Sequence, residues 1–112
     1  MKRIEAIIRP AKIPEVCAAL EAEGHPGVTI SAVEGRGNEK GWVNQVRGFV
    51  YRMNTTARAR LETVVRDDDA DRIVKAIRDA ALTGEVGDGK IFIHQITEAI
   101  RIRTNESGMA AL

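Results

Sequence analysis

Apolar positions along the chain fall into two alternating periods. Residues 2–9 and 58–66 carry branched apolar side chains with the alternating character of half-buried strands. After the first run, Ile13, Val16, Cys17 and Leu20 recur at helical spacing, with Pro14 in a first turn that tolerates it. After the second, Ala70, Ile73, Val74, Ile77 and Ala81 repeat the helical pattern. Asp67, Asp68 and Asp69 stand just before it, suited to capping and to the positive end of the helix dipole. That role explains the acidic run without a metal. Two further strands are predicted. In Gly27–Gly35, Val28, Ile30 and Ala32 alternate with Thr29, Ser31 and Val33; Lys90–Thr97 carries Ile91, Phe92, Ile93 and Ile96.

The two halves resemble each other. Arg3-Ile4-Glu5-Ala6-Ile7-Ile8-Arg9 matches Arg60-Leu61-Glu62-Thr63-Val64-Val65-Arg66, and the same register lays Val16 over Ile73, Ala19 over Ala76 and Leu20 over Ile77. A match that continues into the helices favours a duplicated strand–helix–strand unit over chance similarity of two β-prone runs. The order β-α-β-β-α-β predicts an α+β, ferredoxin-like double βαβ fold with its helices on one face of an antiparallel sheet. The other face needs cover, and oligomerisation supplies it. A length of 112 residues fits one domain, 1–112, with a modest stability margin that partners would supplement. Residues 36–57 form a connection too long for a hairpin turn, a length usually kept for function. Residues 98–112 form a tail.

Composition narrows the function. With 17 basic and 16 acidic residues and a net charge of +1, the chain lacks the basic excess of a general nucleic-acid binder. Its one cysteine, Cys17, lies in an apolar helical run and reads as a small buried hydrophobe. His25 and His94 have no metal-ligand spacing and read as ordinary turn and sheet residues. No apolar run is long enough to span a bilayer, and Met1-Lys2-Arg3 is not followed by a secretory h-region, so a soluble, cytoplasmic protein is expected.

Candidate chemistry concentrates near the end of the chain. Gly84-Glu85-Val86-Gly87-Asp88-Gly89-Lys90 satisfies G-x-x-x-x-G-K, but Ile91 stands where a P-loop has Ser or Thr, and the loop leads from helix into strand. Its glycines still let backbone N–H groups close on an anion, and Lys90 adds a charge. The competing reading is a helix C-cap at Gly84 followed by a tight turn, and for the loop alone that reading is the stronger. In Ile100-Arg101-Ile102-Arg103, an extended backbone would project both guanidinium groups to one side, suited to a polyphosphate, with the isoleucines packing on the other. A solvated edge strand accounts for those four residues equally well.

Taken together, Thr83-Gly84-Glu85-Val86-Gly87-Asp88-Gly89-Lys90-Ile91-Phe92-Ile93 and Ile100-Arg101-Ile102-Arg103-Thr104 resemble the C-terminal signature of the nitrogen-regulatory PII signalling proteins. Met1-Lys2-Arg3-Ile4-Glu5-Ala6-Ile7-Ile8-Arg9-Pro10 resembles that family's opening strand, and the likeness covers nearly the whole chain. The resemblance implies a homotrimer, not an enzyme, that binds ATP or ADP in clefts between subunits and regulates a membrane transporter or metabolic enzyme. It assigns 36–57 as the target-docking T-loop, 82–89 as the B-loop and 98–112 as the C-terminal tail. Gly87, Asp88, Gly89 and Lys90 would meet phosphates and ribose, with Gly35, Arg36, Gly37, Asn38 and Arg58 contributing to the nucleotide site. Arg101 and Arg103 would reach the phosphates from the adjacent subunit. Ile7, Thr29, Glu62 and Val64 would surround the adenine.

The T-loop departs from the family pattern. Glu39 stands where 2-oxoglutarate sensors usually carry a magnesium-holding glutamine. Its carboxylate can ligate Mg²⁺, yet it sets a like charge beside a dicarboxylate. Arg58 replaces a lysine that faces 2-oxoglutarate, and Asn38 removes a phosphate-facing arginine. These changes weigh against classical sensing, for which Glu39, Lys40, Gly41 and Arg58 would form the metabolite site. Tyr51 aligns with a nucleotidylylated tyrosine but lacks its usual small and acidic neighbours, which favours a docking or plain loop residue. Trp42 and Phe49 suit target docking. Two alternatives stay open: a divergent PII-like regulator of a non-nitrogen transport process, and an acylphosphatase-like enzyme. The latter is opposed by the lack of a nucleophile–base pair and by the placement of the Arg-Ile-Arg run in the tail.

Overall fold

The computed structural model describes residues 1–37 and 55–112 in full, and between them the backbone of two strands, Trp42–Val46 and Phe49–Met53. In chain order the elements are β1 (Lys2–Ile8), α1 (Ile13–Ala22), β2 (Thr29–Gly35), β3 (Trp42–Val46), β4 (Phe49–Met53), β5 (Thr56–Val65), α2 (Ala70–Ala81) and β6 (Lys90–Gln95). Four of the strands make one sheet in the order β2-β5-β1-β6, with every neighbouring pair antiparallel. This is the arrangement expected of the ferredoxin-like α+β plan. The long connection holds more order than the hydrophobic pattern implied: β3 and β4 pair as a separate two-stranded ribbon.

Strand parity sets the core. Ile4, Ala6 and Ile8 of β1 and Ala59, Leu61 and Val65 of β5 are buried, while Arg3, Glu5 and Ile7 lie on the opposite face. Val16 and Leu20 of α1 and Ala70, Ile73, Ile77 and Ala81 of α2 close over the buried set. Each fully buried branched side chain contributes about 1.5–3 kcal/mol of transfer free energy, so this one layer dominates stability. The single buried hydroxyl strand residue in that layer, Thr63, is satisfied: it donates to the Gly27 carbonyl at 2.7 Å and lies 2.6 Å from Nε2 of His25.

Several boundaries and local roles differ from the sequence expectation. β2 begins at Thr29 rather than Gly27, and β6 ends at Gln95 rather than Thr97. Asp67–Asp69 form a 3-10 turn whose carboxylates make no helix-cap hydrogen bond. Cations claim two of them instead: Asp67 pairs with the N-terminal amine at 3.1 Å and Asp69 with Arg72 at 3.2 Å. Helix α2 stops at Ala81 with Leu82 already extended, so Gly84 is a loop residue at φ +89 and not the helix cap.

The tail corrects another expectation. It is not extended through Arg103. The Arg101 amide donates to the Glu106 carbonyl at 2.8 Å and the Asn105 amide to the Arg101 carbonyl at 2.8 Å, closing a turn with Asn105 at φ +61. Ile102 therefore packs on no described residue and is 99 % exposed.

Candidate functional site

The loop 83–89 is built around one carboxylate. Asp88 accepts hydrogen bonds from the amides of Thr83 (2.9 Å) and Gly84 (2.8 Å), from the Thr83 hydroxyl, and from Nε of Arg9 at 3.3 Å. Thr83 Oγ1 in turn accepts from the Glu85 amide at 3.1 Å. The Thr83 hydroxyl first, then the two amides and the Arg9 guanidinium, hold the Asp88 carboxyl well below the usual carboxylate range. The carboxylate is thus spent on organising the loop, turned onto its own backbone. Gly87 and Gly89, at φ +102 and +103, adopt backbone that L side chains rarely reach, which shapes the exit toward β6.

Beside this loop lies an open cavity of about 360 Å³. Ile7 from β1 and Phe92 from β6 form its apolar floor, and Val86, Gly87, Gly89 and Lys90 form one wall. Gly35, Arg36 and Gly37, at the end of β2, and Arg58 of β5 form the other. Among the described residues its lining holds three cations, Arg36, Arg58 and Lys90, and no carboxylate. Arg58 is buried to 8 % exposure and donates from Nη1 to the Ala57 carbonyl at 2.9 Å. Exposed glycine backbone and concentrated positive charge beside an apolar floor fit a ligand with an anionic group and a flat apolar part.

A second cavity, of about 490 Å³, lies elsewhere on the sheet and shares no lining residue with the first. Thr29, Glu62 and Val64 line it, with Arg3, His25, Thr63 and Leu112. Thr29 stands directly opposite Glu62 in the β2–β5 register, so both side chains rise from the same sheet face.

The predicted site residues therefore divide. Ile7, Gly35, Arg36, Gly37, Arg58, Gly87, Gly89 and Lys90 come together; Ile7 is not brought to Thr29, Glu62 and Val64. Arg101 is held in its own tail, donating to the carbonyl oxygens of Leu112 (3.1 Å) and Ala110 (3.4 Å), while Arg103 stands exposed on the tail turn. Asn38, Glu39, Lys40 and Gly41, and the side chains of Trp42, Phe49 and Tyr51, lie outside the described residues. No group of three or more His, Cys, Asp or Glu side chains gathers as a metal site among the described residues.

The sequence pattern assigns no site role to Arg9 or Phe92. Phe92 was within reach, since it shares strand parity with Lys90. Arg9 and Asp88 are too far apart in the chain for any periodic pattern to join them.

Comparison with known proteins bears on what this arrangement is for. The family model described as nitrogen regulatory protein P-II matches residues 1–106. The chain is 48% identical over 112 residues to nitrogen regulatory protein P-II 2 of Methanothermobacter thermautotrophicus, covering all of this chain and 97% of that one. It is 47% identical to nitrogen regulatory protein P-II of Bradyrhizobium diazoefficiens, covering 100% of both. Among solved structures, that of Arabidopsis thaliana PII bound to citrate superposes with a TM-score of 0.82 at 37% identity, covering 99% of this chain and 91% of that one.

Proposed function

The chain belongs to the nitrogen regulatory protein P-II family, as a regulatory protein and not an enzyme, and on that premise we propose that it senses adenine nucleotides in clefts shared between identical subunits. The observation that carries this reading is the cavity whose described lining combines Arg36, Arg58 and Lys90 with glycine backbone and no carboxylate. ATP or ADP would place its phosphates there, against the Gly87–Lys90 segment. The division of the remaining residues supports a shared site. Thr29, Glu62 and Val64 surround a different cavity on the same chain, so one ligand meeting both sets would lie between two copies. Arg101 and Arg103 would come from that second copy, in a cytoplasmic homotrimer.

Nucleotide state would reach a protein target, a membrane transporter or metabolic enzyme, through residues 36–57. Gly35, Arg36 and Gly37 line the cavity, and the last two open this segment, so a ligand touching them touches its root. Two loop states need only differ in affinity for the ligand, since equal affinity shifts nothing. Arg58 on the cavity wall adds positive charge that favours a carboxylate, and the Arabidopsis relative is known bound to citrate. A carboxylate metabolite is a candidate second ligand, with Glu39 the candidate Mg²⁺ ligand, although the Glu39 charge and the exchange of lysine for Arg58 weigh against 2-oxoglutarate bound in the classical way.

Calorimetric titration of ATP and ADP into the wild type, Lys90→Ala and Arg103→Ala tests the proposal. Wild-type dissociation constants on the order of micromolar are expected, and each variant should bind at least about tenfold more weakly through loss of a charge-assisted contact. A wild type that binds no adenine nucleotide would sink the reading.

A further inference from the structure

We propose that Arg9 is the positioning residue of the phosphate-binding loop, a strut from the end of β1 that fixes the direction of the Gly87 N–H. The proposal rests on anion binding at the cationic cavity, which Arg9 itself does not line.

The strut has a rigid base. Ile8, just before it, is buried at 2 % exposure, and Pro10, just after it, restricts Arg9 to extended backbone, observed at φ −64, ψ 134. From that base the guanidinium spans two acceptors on the loop: Nη2 donates to the Val86 carbonyl at 2.8 Å and Nε to Asp88 Oδ1 at 3.3 Å. Among the described residues, Arg9 is the source of the side-chain hydrogen bonds that reach loop 83–89 from outside it. The remaining bonds converge internally on Asp88 and Thr83.

The consequence follows from peptide geometry. Val86 C=O and Gly87 N–H belong to one planar trans unit and point in opposite directions. Holding the Val86 oxygen toward Arg9 turns the Gly87 N–H away from it, and Gly87 lines the cavity. The same bond keeps a carbonyl oxygen, which would repel an anion, occupied by a cation. Released from Arg9, this peptide can rotate and present its oxygen instead. At φ +102, Gly87 opposes such rotation little.

The test is ATP titration of the full-length oligomer as wild type, Arg9→Ala and Arg9→Lys, with amide hydrogen exchange measured on each without ligand. Arg9→Ala should bind ATP about tenfold more weakly, the loss expected when a charged hydrogen-bonding group is removed. Exchange should quicken at Thr83 and Gly84, whose amides donate to Asp88, while the β1 amides of Ile4 to Ile8 keep their protection, a contrast that general destabilisation would not give. Arg9→Lys keeps the charge but serves one acceptor at a time, so it should fall between the two. If Arg9→Ala does not fold, Arg9→Lys decides alone, and equality with wild type overturns the proposal. Arg9→Ala binding as tightly as wild type, or weakened binding with unchanged loop exchange, overturns it as well. A wild type that fails to bind ATP overturns instead the nucleotide reading beneath it.

Discussion

A β-carbon built on Gly89 would stand 1.7 Å from the carbonyl oxygen of Ile7, so the loop passes across β1 at a distance only glycine permits. Gly89 also sits at φ +103. Gly89→Ala therefore combines backbone strain with a clash against immobile backbone, and should cost about 3 kcal/mol or more. Gly84→Ala provides the contrast: at φ +89 but with nothing within 4 Å of an added Cβ, it should cost about 1 kcal/mol. Denaturant unfolding of the pair measures the difference, and equal losses would contradict the close approach.

The acid limb of stability should depend on Asp88. Its carboxyl is held down in the folded chain by the Thr83 hydroxyl, the loop amides and Arg9. A depressed folded-state value stabilises the fold fully only above the ordinary carboxylate value of about 3.9. The contribution is lost as pH falls from there toward the lower folded value, because the unfolded chain takes up its proton first. Asp88→Asn should flatten the dependence of stability on pH in this acid window and leave the slope at neutral pH unaltered. Parallel curves for wild type and variant would refute the assignment.

Thr63 should be intolerant of an isosteric apolar replacement. Its one proton goes to the Gly27 carbonyl, so at 2.6 Å its oxygen accepts from His25, which must carry a proton on Nε2. Thr63→Val leaves both partners unmatched and should destabilise by about 1–3 kcal/mol. Nitrogen-detected NMR of His25 should show a protonated Nε2 in the wild type; a neutral ring protonated only on Nδ1 would contradict the relay.

Ile73→Ala removes a side chain with 0 % exposure between α2 and the sheet. A loss of about 2–5 kcal/mol is expected by denaturant unfolding. A near-neutral effect would mean that the helix layer does not pack as described.

What the sequence made legible was whatever depends on period. Alternation in residues 2–9 and 58–66 maps directly onto burial of Ile4, Ala6, Ile8, Leu61 and Val65, and helical spacing onto Val16, Leu20, Ile73 and Ile77. Parity also told which strand residues share a face, but register decides which end of the sheet they reach. Ile7 stands opposite Lys90, beside the loop, whereas Val64 stands opposite Arg3 at the other end of β1. That is why one predicted adenine set became two clusters. The tail misled because alternating Ile and Arg suggests a strand, while the backbone closes between Arg101 and Glu106. Asn105, which tolerates the left-handed region, was the available warning. Charge attraction likewise overrode the capping expected of Asp67 and Asp69.

The central claim, a nucleotide site completed by a second copy of the chain, is tested most directly by mixing two defective subunits. Lys90→Ala damages the loop half of each cleft and Arg103→Ala the tail half. Refolded together at equal amounts, random assembly should pair an intact loop with an intact tail in roughly a quarter of clefts. Calorimetry should then detect a fraction of sites with wild-type ATP affinity that neither variant shows alone. Mixed assemblies that bind no better than the two variants measured separately would place both halves of the site within one chain and contradict the account.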